Sequence, residues 1–94
     1  MRTLLFDQSF RRAAKRTCKN QPQLRSKIEA VLSLLEIDPF SPTLRTYKLK
    51  GDLGDLWSCT AEYDCRIIFR FYKLENEPED AIVLINIGSN DEVY

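Results

Sequence analysis

The sequence predicts an α+β fold in which a pair of helices packs on an antiparallel sheet. Apolar residues recur at helical spacing in the first half of the 94-residue chain, whereas the second half carries alternating or continuous apolar runs typical of strands. The predicted order is an N-terminal strand, an antiparallel helical hairpin and a C-terminal antiparallel sheet of three strands. A chain of this length is expected to form a single domain over residues 1–94.

Each predicted helix has an apolar stripe and residues that begin or end a helix. Asp7 follows a short apolar strand and suits the N-cap of the first helix, because its side chain accepts from free backbone N–H groups. The stripe that follows it consists of Phe10, Ala13, Ala14, Thr17 and Cys18. Pro22 suits the first position of the second helix, where an N–H is not needed. This helix is expected to end before Asp38-Pro39.

The second half of the chain predicts three strands joined by turns. Residues 56–63 and 65–72 alternate between two kinds of side chain, as in half-buried strands, and Tyr63-Asp64 is the tight turn between them. Residues 81–87 are nearly all apolar and β-branched, which indicates an interior strand. The stretch 51–55, with two glycines and two aspartates, predicts another turn before these strands.

Charge is balanced over the whole chain but is unevenly distributed along it. Residues 1–50 hold eleven basic residues against four acidic ones, a net charge of +7, and residues 51–94 hold three against ten, a net charge of −7. The basic side chains of the first helix, including Arg11, Arg12 and Lys15, either meet phosphate or an acidic partner or form a solvated helix face. A net charge of zero argues against binding nucleic acid by charge alone.

Histidine is absent, and the three cysteines Cys18, Cys59 and Cys65 have no metal-binding spacing. We therefore expect no metal site and interpret the cysteines as small buried side chains, with a disulfide between Cys59 and Cys65 as the lesser alternative. No apolar run approaches the roughly 20 residues that span a bilayer, and the N-terminus does not resemble a signal peptide. A cytoplasmic protein without membrane contact is the expectation.

Three short motifs occur in order along the second half of the chain. They are Tyr47-Lys48-Leu49-Lys50-Gly51, Asp64-Cys65-Arg66 before an apolar strand, and the tail Gly88-Ser89-Asn90-Asp91-Glu92-Val93-Tyr94. Their combination resembles the RelE/ParE toxin superfamily, most closely its RelE/StbE and YafQ-like mRNA interferase branch. The resemblance covers essentially the whole chain. It implies the toxin of a type II toxin–antitoxin pair that forms a hetero-oligomer with a cognate antitoxin.

The resemblance also implies a ribosome-dependent endoribonuclease that cuts mRNA without a metal or cofactor. In such enzymes side chains activate the ribose 2′-hydroxyl for attack on the adjacent phosphate and stabilise the charge that develops. The candidate catalytic residues are Arg66, Asp64, Tyr94, Lys48 and Lys50. The candidate substrate-binding residues are Tyr47, Asn90 and Arg70.

Three of these candidates have a stated role and an alternative. Arg66 is expected to hold the scissile phosphate by a bidentate contact, or else to be a surface arginine on a polar strand face. Asp64 is expected to act as a base or orient a partner, or else to be a turn residue. Tyr94 is expected to stack on a base or assist proton transfer, or else to pack on the sheet or fray.

The chain departs from the YafQ-like pattern at three positions. Tyr47, Thr60 and Asn90 stand where these toxins carry histidines, whose imidazole suits proton transfer near neutral pH. Three functions follow as hypotheses. The first is an mRNA interferase with a substituted proton-transfer set, the second a ParE-like toxin that inhibits gyrase, and the third a weakened toxin that mainly binds its antitoxin.

Overall fold

The computed structural model describes residues 1–51 and 54–94, and its α+β class agrees with the class predicted from the sequence. Its elements in chain order are β1 (Leu4–Phe6), α1 (Gln8–Asn20), α2 (Leu24–Ile37), a 3₁₀ turn (Pro42–Leu44), β2 (Tyr47–Lys48), β3 (Trp57–Glu62), β4 (Cys65–Tyr72), β5 (Ala81–Gly88) and α3 (Asn90–Val93). Asp52 and Leu53, the middle of the predicted turn at 51–55, lie outside the described residues.

The strands form one five-stranded sheet in the order β1-β5-β4-β3-β2. The prediction of three sheet strands preceded by a separate one is therefore corrected, because β1 joins the same sheet and β2 extends its other edge. β1 runs parallel to β5, with Leu4 opposite Ile82, while the other neighbours are antiparallel. A parallel partner requires a long crossover, which here contains the helical hairpin. Sequence periodicity does not reveal such a long-range pairing.

The core lies between the helical hairpin and one face of the sheet, which we call the inner face. The fully buried side chains of β4 and β5 on this face include Ile67, Phe69, Ile82, Leu84 and Ile87. The hairpin covers them with Phe10, Ala13, Leu24, Ile28 and Leu35. The predicted alternation of β4 is thus confirmed, since every second residue from Cys65 to Phe69 enters the core.

The helix boundaries follow the predicted signals with one shift. The Asp7 side chain accepts a hydrogen bond from the Ser9 backbone N–H at 3.1 Å, so it caps α1 as predicted. α2 ends before Asp38, also as predicted. Its first residue is Leu24, however, so Pro22 lies in the preceding turn rather than at the first helical position. The hydrogen bond from the Leu24 N–H to the Gln21 carbonyl closes this turn at 3.0 Å.

The three cysteines are free thiols. Cys59 and Cys65 are buried, which confirms their interpretation as packing residues and not as a disulfide, whereas Cys18 is half-buried. Burial raises the pKa of Cys59 to about 12 and that of Cys65 to about 11. Neither thiol is therefore a nucleophile near neutral pH. No helix within residues 1–51 and 54–94 is long and apolar enough to cross a membrane.

Candidate functional site

The face of the sheet opposite the helical hairpin, which we call the outer face, carries a group of polar side chains. Tyr47 pairs with Ser58 across β2 and β3, and Thr60 pairs with Arg66 across β3 and β4. Paired residues point to the same face, and Ser58 and Thr60 share a face because they are two positions apart. The strands therefore gather Tyr47, Ser58, Thr60 and Arg66 on one surface.

Four of the outer-face side chains form a continuous hydrogen-bonded group, which we call the tyrosine–arginine cluster: Tyr47, Ser58, Arg66 and Tyr94. The Nε–H of Arg66 donates to Ser58 Oγ at 3.1 Å, and Ser58 Oγ is hydrogen-bonded to the hydroxyl of Tyr94. The hydroxyls of Tyr94 and Tyr47 are 2.7 Å apart. The Arg66 guanidinium also lies over the Tyr47 ring, 5.2 Å from its centroid, in a cation–π contact.

The short helix α3 brings Tyr94 onto the sheet. Ser89 caps this helix in a capping box, with its side chain accepting from the Glu92 N–H at 3.3 Å and the Glu92 carboxylate accepting from the Ser89 N–H at 2.8 Å. Asp64, in the β3–β4 turn, accepts from the Asn90 N–H at 3.1 Å. These contacts satisfy backbone N–H groups at the helix start and attach α3 to the sheet, so Tyr94 reaches Ser58.

The pKa values of the two tyrosines in the cluster are shifted in opposite directions. Burial favours the neutral phenol of Tyr94, but the hydrogen bonds with Ser58 and Tyr47 and the nearby Arg66 guanidinium outweigh it and lower the Tyr94 pKa. The hydrogen bond to Tyr94 is the main cause that raises the pKa of Tyr47. Tyr94 is therefore the hydroxyl that loses its proton more readily, and Tyr47 acts as its hydrogen-bond donor.

Three sequence-predicted residues, Arg66, Tyr94 and Tyr47, lie together in this cluster. Asn90 is the first residue of α3, and its backbone N–H donates to the carboxylate of Asp64 in the β3–β4 turn. Their proposed parts in catalysis and substrate binding stay predictions.

The other three predicted residues lie away from the cluster hydrogen bonds. Lys48 and Arg70 border a second cleft, which they share with Trp57. The guanidinium of Arg70 lies 5.8 Å from the ring centroid of Tyr72. Lys50 is exposed two residues beyond the short edge strand β2, next to buried Leu49. Whether these cations contact a substrate stays a prediction.

Ser58 is the cluster residue that the sequence did not single out. The alternation of β3 placed it on the polar face, which suggested an exposed side chain, yet it is 0 % exposed. Its burial follows from the contact with Tyr94, 36 residues away in sequence. The only sequence signal was its position two residues before Thr60 on the polar face of the strand.

Arg66 also borders a groove between β3 and the helix α2. The rim of this groove carries Lys27 and Arg45 together with Tyr63, which is 95 % exposed. Lys27 is paired with the carboxylate of Glu62. The groove therefore joins positive charge and an exposed aromatic ring to the tyrosine–arginine cluster. In the part of the chain that the structure describes, no group of three or more Asp, Glu, Cys or His side chains is placed to hold a metal ion.

The helical hairpin on a mixed five-stranded sheet is a fold that this chain shares with a YoeB/ParE toxin and with YafQ, so the fold implied by the predicted resemblance is confirmed. A YoeB/ParE toxin from Agrobacterium tumefaciens has a TM-score of 0.76 at 18 % identity, over 94 % of this chain and 98 % of that one. No protein-family model matches the chain, and no curated protein matches it either.

Two further solved structures cover the chain almost completely. The Escherichia coli DinJ–YafQ toxin–antitoxin complex contains a chain with a TM-score of 0.75 at 13 % identity, over 99 % of this chain and 97 % of that one. A metal-bound toxin from Helicobacter pylori is 26 % identical over 100 % of both chains, with a TM-score of 0.70. The similarity thus extends over the helical hairpin, the sheet and α3 alike.

Proposed function

We propose that the protein is the toxin of a type II toxin–antitoxin pair and that it cuts mRNA on the ribosome. The observation that carries this proposal is the tyrosine–arginine cluster. It places a guanidinium and a tyrosine of lowered pKa on the outer face of a fold shared with toxins. Phosphodiester cleavage needs both kinds of group, because charge develops on the phosphate while a proton leaves the attacking oxygen.

The cleavage step that the cluster supports uses no metal. The Tyr94 oxygen accepts the proton of the ribose 2′-hydroxyl, the 2′-oxygen forms a bond to phosphorus, and the bond from phosphorus to the 5′-oxygen breaks. Water protonates the departing 5′-oxygen, so the products are a 2′,3′-cyclic phosphate and a 5′-hydroxyl. Arg66 stabilises the charge on the phosphate through its terminal nitrogen Nη1, since its Nε–H is already bonded to Ser58 and its other terminal nitrogen, Nη2, is buried.

The remaining predicted residues are proposed to hold the RNA on either side of the cut. Lys48 and Arg70 supply two positive charges in one cleft, which suits a flanking phosphate. The groove next to Arg66, with Arg45 and exposed Tyr63 on its rim, suits a neighbouring nucleotide, since an aromatic ring stacks on any base. Asn90 and Lys50 are exposed and available to RNA on this hypothesis.

The cleavage proposal is tested by inducing the chain in a bacterium and mapping mRNA 5′ ends by primer extension. We expect cuts within translated codons that disappear in Arg66→Ala. A matched control is Lys73→Ala, which removes one positive charge from an exposed residue beyond β4 and should leave the cuts in place.

The same experiment distinguishes the other two hypotheses. Growth arrest with intact mRNA and altered plasmid supercoiling would indicate a ParE-like toxin that acts on gyrase. No growth arrest would indicate a weakened toxin that mainly binds its antitoxin. Cuts that persist in Arg66→Ala would mean that the cluster is not the active site.

An antitoxin is the proposed protein partner, as in the solved complex of the structurally similar E. coli toxin. The exposed basic side chains of α1, Arg11, Arg12 and Lys15, are proposed as its docking surface. Their charge suits an acidic or partly acidic segment that wraps around the toxin.

This docking surface is tested by reversing all three charges of α1 to Glu and measuring affinity for the antitoxin encoded next to the toxin. We expect weaker binding than that of a Lys73→Glu control. Equal affinity of the two variants would show that the antitoxin docks elsewhere.

A further inference from the structure

Ser58 occupies an unusual position for a serine. Among residues 1–51 and 54–94, Ser58 is the one polar residue that is buried, with 0 % exposure. It lies at the centre of the cluster. Its hydroxyl touches both the Arg66 Nε–H and the Tyr94 hydroxyl. Buried polar groups are costly unless they are bonded, so these two contacts account for a serine at this position.

The direction of the hydrogen bonds around Ser58 follows from the chemistry of its partners. A guanidinium only donates, so Ser58 Oγ accepts from Arg66. The hydroxyl hydrogen of Ser58 is then free to point at its other partner, the Tyr94 oxygen. The Tyr47 hydroxyl, 2.7 Å away, donates to the same oxygen when Tyr94 is deprotonated.

We propose that Ser58 is a positioning residue that links Arg66 to Tyr94 and thereby holds the Tyr94 hydroxyl as the proton acceptor of the site. The inference rests on the proposed function and deepens it by assigning the acid–base group of a chain without histidine. The positive charge of Arg66 polarises the Ser58 hydroxyl, and linked hydrogen bonds strengthen one another.

The charges around Tyr94 support this assignment. An unperturbed tyrosine, with a pKa of about 10, is almost entirely protonated near neutral pH and accepts protons poorly. Tyr94 faces Tyr47 from β2, Ser58 from β3 and Arg66 from β4, and these contacts together lower its pKa against the effect of burial. Asp91 and Glu92 of α3 are the acidic groups nearest to Tyr94 in sequence.

The proposal is tested on the purified protein without RNA, by following the ring-carbon NMR signals of its four tyrosines during a pH titration. The Tyr94 signal is assigned from its loss in Tyr94→Phe. We expect it to titrate below the ordinary tyrosine range in the unmodified chain and at higher pH in Ser58→Ala. Thr60→Ala is the matched control, because Thr60 is also on the outer face of β3 but its hydroxyl donates to the Glu62 carbonyl at 2.9 Å.

Two further variants keep the test independent of any folding defect in Ser58→Ala. Ser58→Thr retains the hydroxyl, so Tyr94 should titrate at the same low pH as in the unmodified chain. Arg66→Ala removes the other end of the link and should raise the pH at which Tyr94 titrates, as Ser58→Ala does. Thermal unfolding of each variant checks that the fold is intact.

Cleavage of RNA provides the second readout. Ser58→Ala should lower the rate about 100-fold, the order expected when a reacting group is displaced, and should shift the pH–rate profile to higher pH. Ser58→Thr should recover most of the rate.

The failure of this inference is distinguishable from the failure of the proposed function. If Tyr94 titrates identically in Ser58→Ala and in the unmodified chain, the inference is overturned even where RNA is cut. If the titration depends on Ser58 but no RNA is cut, the Ser58 link is supported and the endoribonuclease proposal is wrong.

Discussion

The two faces of the sheet differ in polarity and in burial. The inner face is apolar and covered by two helices, and Ile67, Phe69 and Leu84 on it are completely buried. The outer face carries a hydrogen-bonded polar cluster that is covered mainly by Tyr94, which is itself 50 % exposed. Burying a large apolar side chain stabilises a protein by about 1.5–3 kcal/mol, whereas a typical hydrogen bond contributes about 1 kcal/mol net. The inner face therefore holds the fold, and the outer face is available for chemistry.

The largest effect on stability is expected from a cavity on the inner face. Phe69→Ala should lower the free energy of unfolding by about 3–5 kcal/mol, measured by chemical denaturation, because the Phe69 side chain is wholly buried. Tyr63→Ala is the matched control, since Tyr63 is 95 % exposed and its loss should change stability only slightly. Similar losses of unfolding free energy in both variants would contradict the conclusion that the inner face stabilises the fold.

A change on the outer face should separate activity from stability. Tyr94→Phe keeps the ring and removes the hydroxyl that joins Ser58 and Tyr47. We expect RNA cleavage to fall about 100-fold or more, while the free energy of unfolding changes by about 1 kcal/mol. Tyr72→Phe, at an exposed tyrosine of β4, is the control for both measurements. An active Tyr94→Phe enzyme would exclude Tyr94 as the proton acceptor.

Asp64 offers a smaller effect that tests two explanations of the same residue. Asp64→Ala removes the acceptor of the Asn90 N–H and should lower stability by about 1 kcal/mol. Asp64→Asn keeps an acceptor but cannot act as a base. If the asparagine variant retains cleavage while the alanine variant loses it, Asp64 acts by holding α3. Loss of cleavage in both, with stability retained in the asparagine variant, would favour a catalytic carboxylate.

The smallest expected effect is a pH dependence of the attachment of α3. The hydrogen bond from the Ser89 backbone lowers the pKa of Glu92 below its usual value of 4.5. A lowered carboxyl pKa stabilises the folded state above the unfolded value, and this contribution is lost as pH falls through the folded value. The Ser89 amide NMR signal should therefore shift on acidification with a midpoint below pH 4.5, and the Glu92→Gln variant should lack this transition. A midpoint above 4.5 would contradict the capping geometry.

Sequence patterns predicted the parts of this fold that local chemistry determines. The Asp7 cap, the end of α2 before Asp38 and the alternation along β4 all follow from neighbouring residues. The pairing of β1 with β5 did not follow, because a parallel partner is fixed by tertiary packing across more than 70 residues. The start of α2 was misplaced by two residues, since Pro22 is accommodated equally well in the turn.

Three members of the tyrosine–arginine cluster were among the candidates that the family resemblance supplied, but their connection was not predicted. Arg66 and Tyr94 were expected to be catalytic and Tyr47 to bind substrate, and these roles stay predictions. Ser58 was not singled out, because serine on a polar strand face is ordinary until the register of β2 and the path of α3 are known. The strand register and α3 together turn three separate candidates into one hydrogen-bonded group.

The distance in sequence between the cluster residues has a consequence for how the protein is made. Tyr94 meets Tyr47 and Ser58 from 47 and 36 residues further along the chain. Synthesis delivers these residues in order, at about 5–20 residues per second, so the residues of every sheet strand are made before those of α3. A nascent chain that ends within β5 still lacks the Tyr94 hydroxyl. On the proposed function, the chain therefore gains its proton acceptor only after α3 has emerged from the ribosome and folded.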